Sequence, residues 1–595
     1  MITKIKYKIN KVMKERKQIF HFSLFTFTLS MALTSCVDTN VLPADKTVEE
    51  DFWKTKADVQ LMVMGAYKKM VSNDVATRAM LWGELRSDEL TVNETPTGTV
   101  PTALVEVQAA DIQTTNTFTD WSSLYSVINY CNIVLSHAEQ VMSIDPSYTE
   151  DDYRIDCSQM LALRALCYFY LVRTYRDVPY CTEGFTASSQ ELEVPQQAPQ
   201  VTLTRCIEDL KEVLTEEDRN TYLPDGFTDW RRVGFVNRDG IKALLADMYL
   251  WRGSMTHSTE DYTQAVNYCQ QVISSKQQQY PKDALDPEAS DYPLVSGEQA
   301  YGAIFANGNS QEAVLELQLD GKNNQNSTVC QYYYLYNKNA AHGYCYATPI
   351  FSNTGQEKVY STEMDYRYWQ NTYDVGNTQL TNFDVRKMVS QSSQTVNPLS
   401  TPTAWKRSSE SREYSDYAQN WIVYRLSDIM LMEAEALVAL SQSDDDPQLQ
   451  QAFLLVKEVN SRSLAQKSSA LNQANYPSVA SMELLVLQER QRELCFEGKR
   501  WFDLMRYNYR HITPADPTKT LAQLDDEGVS FPRNDDTMLN LMARKYEVTG
   551  NGAGVIAKMR TEPTLYWPIN KNEMKVNANL RQNPAYGNDD LYVKN

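Results

Sequence analysis

Apolar side chains return at alternating intervals of three and four residues along much of this chain, and that spacing restricts the fold more than any other property of the sequence. Val59, Met62, Val63, Ala66, Tyr67 and Met70 follow it, as do Trp121, Leu124, Tyr125, Ile128 and Leu135, and then Met160, Leu163, Cys167, Tyr170, Leu171 and Thr174. A repeat near 3.6 puts such residues on one stripe of an α-helix, and a helix with one apolar stripe must bury it against another element. The predicted fold class is mostly α. Ile241, Leu244, Leu245 and Met248 run to Gly253, read as the helix stop, and after a short loop Tyr262, Ala265, Val266, Cys269, Val272 and Ile273 begin a partner helix. A second hairpin runs from Ile422 to Leu440, turns through Ser443-Asp444-Asp445-Asp446-Pro447, and continues from Gln451 to Arg462. Ala246, Ala265, Ala434 and Ala436 supply small residues for close helix contact. The expected architecture is a superhelical scaffold of tetratricopeptide-like helix pairs, without the strict consensus of that repeat.

Residues 276–420 break the pattern. They are rich in Tyr, Asn, Gln, Ser and Gly, with one strand-like run, Ala313 to Leu319, and no sustained helical period. Loop-rich segments of that length in a compact protein usually carry function. Upstream of the first helix, Thr47 with Glu50 three residues later is expected to open it as a capping box.

The amino terminus directs the chain to a membrane surface. Seven Lys or Arg between Lys4 and Lys17 precede an apolar stretch, Ile19 to Leu33, that is short for a bilayer span and ends in Leu33-Thr34-Ser35-Cys36. This order fits a bacterial lipobox, with Met13 an equally suitable start. Cleavage before Cys36 would leave its sulfur for a diacylglycerol thioether and its amine for an acyl chain, and multiple chains give stable anchoring. No later apolar run is expected to approach spanning length. Removal of residues 1–35, with seven Lys or Arg against one Glu, takes the net charge from −19 to −25, which excludes nucleic acid as a partner on electrostatic grounds. Of the ten cysteines, assigning Cys36 to lipid leaves an odd number, so at least one is free; Cys131, Cys157, Cys167, Cys206 and Cys269 fall in helical patterns and read as core.

Catalytic and cofactor motifs are weak or missing. The five histidines include no pair at metal-ligand spacing and no Cys-x-x-Cys accompanies them, so no metal or cofactor is expected. Gly550, Gly552 and Gly554 lack the dinucleotide-binding spacing and read as a surface loop. Glu489, Glu493 and Glu497 stand at intervals of four, a separation two glycosidase carboxylates could use, but Arg490, Arg492, Lys499 and Arg500 are interleaved with them. Structural ion pairing on the charged side of an amphipathic helix is the better reading. Asp444, Asp445 and Asp446 lack the spacing of a calcium loop and read as a solvated turn.

What remains is aromatic. The chain has 37 Tyr and 10 Trp, and Gln331 to Tyr346 alone contains Tyr332, Tyr333, Tyr334, Tyr336, Tyr344 and Tyr346, with Tyr366, Tyr368 and Trp369 following. Flat rings can stack on the C–H faces of sugars while Asn, Gln and Asp bind the hydroxyls; equally, rings can fill a loop-rich core. The ligand-binding candidates on this reasoning are Tyr333, Tyr334, Tyr336, Tyr344, Tyr368 and Trp369, with Asp88 and Asn93 from the loop after Trp82.

Near the carboxyl end, Gln488-Glu489-Arg490-Gln491-Arg492-Glu493-Leu494-Cys495-Phe496-Glu497-Gly498-Lys499-Arg500-Trp501-Phe502-Asp503-Leu504-Met505-Arg506 closely resembles the signature of the SusD/RagB family of Bacteroidetes outer-membrane nutrient-binding lipoproteins. Tyr424 to Leu437 resembles the family's Arg-Tyr-Ala-Asp helix with Leu426-Ser427 in place of Tyr-Ala. Tyr566-Trp567-Pro568-Ile569 and Asn579 to Tyr586 resemble its terminal motif, with Ala585 where Gly is usual. The resemblance implies four tetratricopeptide-like pairs carrying a loop-rich ligand site, no catalysis, and a SusC-like TonB-dependent transporter as partner, to which captured glycan, or in some members peptide, is delivered. It assigns residues 1–35 to a removed signal peptide, 36–46 to a lipidated tether and 47–595 to a single domain, with the insertion at about 276–420 and the signature region at 483–595. A surface lipoprotein glycoside hydrolase is the weaker alternative. Family-defining Glu497, Gly498, Arg500 and Trp501 are expected to be scaffold.

Overall fold

The computed structural model describes residues 52–92, 100–186, 193–215, 231–283, 290–321, 325–333, 343–352, 358–372, 383–388, 418–546 and 550–587. The chain divides into two compact units, Met1–Lys54 and Thr55–Asn595, and the second contains all the elements below. The first helix, α1 (Lys56–Met70), opens at a capping box in which the Thr55 hydroxyl accepts from Asp58 N–H and the Asp58 carboxylate accepts from Thr55 N–H at 2.8 Å. The box expected at Thr47 and Glu50 lies outside the described residues, as does Cys36.

The stripes pair as their periodicity requires. Helices α2 (Asn73–Glu84), α3 (Ser122–Ile144), α4 (Glu150–Tyr175) and α5 (Pro199–Thr215) follow, and α1 packs on α3, α3 on α4, and α4 on α5. Helices α6 (Arg238–Thr256) and α7 (Thr259–Gln279) form the expected hairpin; α7 packs on α8 (Leu426–Leu440), which packs on α9 (Pro447–Arg462) and α10 (Val479–Leu494), and α11 (Arg500–His511) packs against α2, α6 and α10. Because α7 and α8 are spatial neighbours, the segment between them leaves the helical stack and returns to the helix next to the one it left. The fold is thus mostly helical, as the spacing implied.

Three local expectations are corrected. Gly253 does not stop α6: the helix runs on to Thr256 and ends at His257, whose φ of 53° is left-handed. A Cβ at Gly253 would stand 3.1 Å from the Tyr262 ring, so this glycine serves the close approach of α6 and α7. Ile422 does not begin a helix. Trp421–Arg425 is a strand antiparallel to Ala313–Leu317, with Ala313 opposite Arg425 and Leu317 opposite Trp421, and α8 starts only at Leu426. Finally, α4 is long and apolar enough by length and composition to cross a membrane, yet 83% of its apolar window is buried inside the protein, which makes it a core helix.

Among the cysteines read as core, Cys131, Cys167, Cys206 and Cys269 are buried and Cys157 is half-buried, all as free thiols. The carboxylates of α10 are ion-paired, but the expectation of a charged outer face is overturned: Glu489, Glu493 and Glu497 are buried. Arg367 Nη1 reaches Glu489 at 2.7 Å and Glu493 at 2.9 Å, Arg425 binds both Glu493 and Glu497, Arg462 binds Glu493, and Lys387 Nζ lies 2.6 Å from Glu497. Of the interleaved cations, Arg492 bonds Glu489 at 2.7 Å while Arg490 pairs with Asp503 at 2.9 Å and Asp428 at 3.0 Å. Buried charges persist only when paired and hydrogen-bonded, so this network ties the segment between α7 and α8 to α9 and α10.

Trp501 of α11 is 1% exposed, with the Arg86 guanidinium 4.5 Å above its ring. Trp501→Ala should cost about 3–5 kcal/mol, the range for deleting a large buried aromatic. Chemical denaturation checks this; a midpoint equal to that of the parent would place the indole outside the core.

Candidate functional site

The two segments singled out by their polar and aromatic content meet in a short antiparallel ribbon. Strand β1 (Leu90–Val92) leaves the turn after α2, and β2 (Cys345–Ala347) follows the tyrosine-rich run; Leu90 faces Ala347, Thr91 faces Tyr346 and Val92 faces Cys345. Asn93 follows β1 directly and Tyr344 precedes β2 directly. Asn93, Tyr334 and Tyr336 lie outside the described residues. Gln108 closes one side: its Oε1 accepts from the Thr91 hydroxyl at 3.2 Å and from the Val92 N–H.

The remaining candidates divide by environment. Tyr344 is half-buried, its ring 5.7 Å from that of Tyr332, which in turn meets Phe118 at 6.1 Å, giving a run of rings beside the ribbon. Tyr333 is fully buried, with its hydroxyl donating to the Phe496 carbonyl at 3.2 Å. Tyr368 and Trp369 are buried edge-to-face, 4.8 Å apart, and Trp369 Nε1 donates to the Glu363 carbonyl. Asp88 is buried as well: its carboxylate accepts from Arg500 Nε at 2.8 Å and from Gln491 Nε2 at 3.1 Å, while its carbonyl accepts from the Thr348 hydroxyl. Burial alone would raise its pKa, but Arg500 holds the carboxyl below its usual range. As placed, these four side chains are packed into the interior rather than presented at a surface. Tyr332 and Gln108 were missed; the run Gln331-Tyr332-Tyr333 carried the signal for Tyr332, but adjacent residues at the end of a short helix face different ways.

Beneath the ribbon two carboxyl groups share a site. Glu84 accepts from Gly498 N–H at 2.7 Å and Lys499 N–H at 3.2 Å, and Glu89 accepts from Phe496 N–H at 3.2 Å. Burial first, then the presence of Glu89, pushes Glu84 well above its ordinary range, and burial pushes Glu89 up to about 7. A carboxyl with a raised folded-state pKa holds a proton that the unfolded chain releases, so its ionisation subtracts stability as pH rises from the ordinary carboxyl range to about 7. Glu89→Gln keeps an acceptor for Phe496 and cannot ionise. Its melting temperature should exceed the parent's near pH 8 and match it near pH 5; a gain confined to acid pH would contradict this.

A separate cleft of about 240 Å³ is lined by Trp121, Tyr125, Asn129, Phe185, Glu573 and Leu580. Its polar side chains are engaged internally: Asn129 exchanges hydrogen bonds with the Phe185 backbone and the Tyr125 hydroxyl donates to the Pro179 carbonyl. The ribbon is therefore the better candidate for a ligand that needs hydrogen bonds.

Comparison with known proteins agrees with this fold. A model of the SusD family matches residues 319–586, and a model described as starch-binding, associating with the outer membrane, matches residues 44–221. The chain is 23% identical over 540 residues to SusD-like protein P38 of Formosa agariphila, covering 86% of this chain and 95% of that protein, and 22% identical to SusD-like protein P2 of the same organism, covering 82% and 90%. Among solved structures, a SusD superfamily protein from Bacteroides thetaiotaomicron superposes with a TM-score of 0.61 at 19% identity, covering 90% of this chain and 99% of that one. A structure described as a putative sugar binding protein from Bacteroides vulgatus superposes with a TM-score of 0.57 at 20% identity, with the same coverage.

Proposed function

This chain belongs to the SusD/RagB family, and we propose that it is a cell-surface lipoprotein that captures oligo- or polysaccharide and passes it to a SusC-like TonB-dependent transporter without turning it over. The membership makes it a nutrient-binding protein of the SusD type. Lipidation at Cys36 would supply the anchor, since more than one acyl chain gives stable attachment. The observation that carries the glycan reading is the pairing of Leu90–Val92 with Cys345–Ala347, beside which the half-buried Tyr344 ring lies tilted against Tyr332 at 5.7 Å. A half-buried aromatic ring, in chain segments whose sequence also carries Asn93, Asn337 and Asn339, suits a sugar ring, whose faces are apolar and whose rim bonds to hydroxyl partners. The rest of the domain assignment, with its tether at 36–46 and insertion at about 276–420, belongs to the same proposal.

Affinity electrophoresis against plant, host and microbial polysaccharides, with peptides titrated in parallel, tests the function. Retardation by at least one polysaccharide whose chain length is unchanged on incubation is expected. Retardation by none, with peptide binding, would move the protein to the peptide-capturing branch, and shortening of a polymer would make it a hydrolase.

A further inference from the structure

Arg86 is 3% exposed and, among the described residues, has no carboxylate within ion-pair distance. Its Nη1 and Nη2 donate to the Leu565 and Thr564 carbonyls, its guanidinium lies over the Trp501 ring, and among the described residues its Nε has no acceptor. An isolated buried guanidinium is costly, and carbonyl dipoles with one aromatic face offset only part of that cost. Lys545 adds to it: it too is buried, its Nζ donates to the Leu85 carbonyl at 2.7 Å, and Arg86 is one of the charges acting against its protonation. The two acids nearest in sequence are already engaged, Asp88 by Arg500, Gln491 and Arg544, and Glu84 by the Gly498 and Lys499 N–H groups.

Arg86 lines a polar cavity of about 400 Å³ together with Asp111, Gln113, Thr114, Lys558 and Tyr586. Lys558 lies at its rim, with a side chain 48% exposed, Nζ donating to the Ala109 carbonyl and 3.8 Å from the exposed Asp111 carboxylate. A chain with a net charge of −19 thus holds an open, hydrogen-bonding concavity with a cation in its wall and another at its mouth. The volume suits a single sugar or a small ion, and a guanidinium is the side chain best matched to an oxyanion.

We propose that this cavity binds an oxyanion, the carboxylate or sulfate group of an acidic sugar or the corresponding free ion, between Arg86 and Lys558. The cavity shares no lining residue with the aromatic ribbon, and the proposal does not depend on the glycan reading of that ribbon.

Isothermal titration of the purified full chain at constant ionic strength tests it with sodium glucuronate, sodium sulfate and glucose. Saturable binding of glucuronate or sulfate but not glucose is expected, and glucuronate against sulfate separates a sugar acid from an inorganic ion as the source. Lys558→Glu, at a half-exposed position that leaves the fold intact, should weaken that binding by about tenfold or more, and Lys558→Arg should retain it. Arg86→Met should abolish it; if that variant does not fold, the Lys558 pair carries the test. Absence of binding by both anions, equal binding of glucose, or an affinity unchanged in Lys558→Glu would each overturn the proposal.

Discussion

Gly83→Ala should leave little or no folded protein. A Cβ at Gly83, built on the α2 backbone, would lie 1.8 Å from the Gly498 carbonyl oxygen and 2.3 Å from its carbon. Neither chain can retreat: Gly498 has φ of +75°, its own Cβ position is 2.8 Å from the Ala79 carbonyl, and its N–H is held by Glu84. A clash against main chain cannot be relieved by rotating a side chain, so the cost should exceed about 4 kcal/mol, beyond the usual range for overpacking. Gly554→Ala is the matched control, because nothing lies within 4 Å of its Cβ and it sits in a helix, where alanine should be neutral or slightly stabilising. Urea unfolding of both variants checks the contrast. A cooperative transition for Gly83→Ala near that of the parent would mean that α2 and the Glu497-Gly498 turn do not touch in this way.

Arg425→Ala is the second large effect. Arg425 is 1% exposed and makes bonds of 2.6 Å to Glu493 and 2.7 Å to Glu497. Burial would raise the pKa of Glu493, but Arg462, Arg425 and Arg367 hold it well below the carboxylate range, and burial of Glu497 is likewise outweighed by Arg425 and Lys387. Removing the shared guanidinium leaves buried carboxylates under-compensated, which costs about 3–5 kcal/mol. Because depressed carboxyls contribute stability above their unfolded pKa and lose it as pH falls through the folded value, the penalty should be largest near neutrality and shrink in acid. Arg425→Lys should fall between, since one ammonium cannot span both carboxylates as the planar fork does. Equal midpoints for all three proteins at pH 7 would remove the network from the account of stability.

The helices with one apolar stripe were legible because their spacing reports a single buried face, as in α1 from Val59 to Met70 and in the α6–α7 hairpin. Ile422, Leu426 and Ile429 share that spacing by coincidence, and only the partner strand at Ala313–Leu317 decides that Trp421–Arg425 is extended. Tertiary pairing also explains the charged residues. Glu489, Glu493 and Glu497 look solvated beside their own arginines, whereas their main partners come from Arg367, Arg425 and Arg462 elsewhere in the chain. Asp88 read as a free ligand group for the same reason: its partner Arg500 lies 412 positions away. The two segments that meet in the ribbon were visible in composition, but the direction of each ring was not, since Tyr332 and Tyr333 are chemically identical neighbours that face different surroundings.

The most direct test of the ribbon as the ligand site is calorimetric titration of a polysaccharide that retards the protein, comparing the parent with Tyr344→Ala. Tyr344 is half-buried and packs chiefly on Tyr332, so its truncation should leave the melting temperature nearly unchanged. Binding should weaken by about 1–3 kcal/mol, the scale of a truncated aromatic anchor. An affinity equal to the parent's, with the fold intact, would contradict binding at the ribbon and move the site to another surface of the helical scaffold.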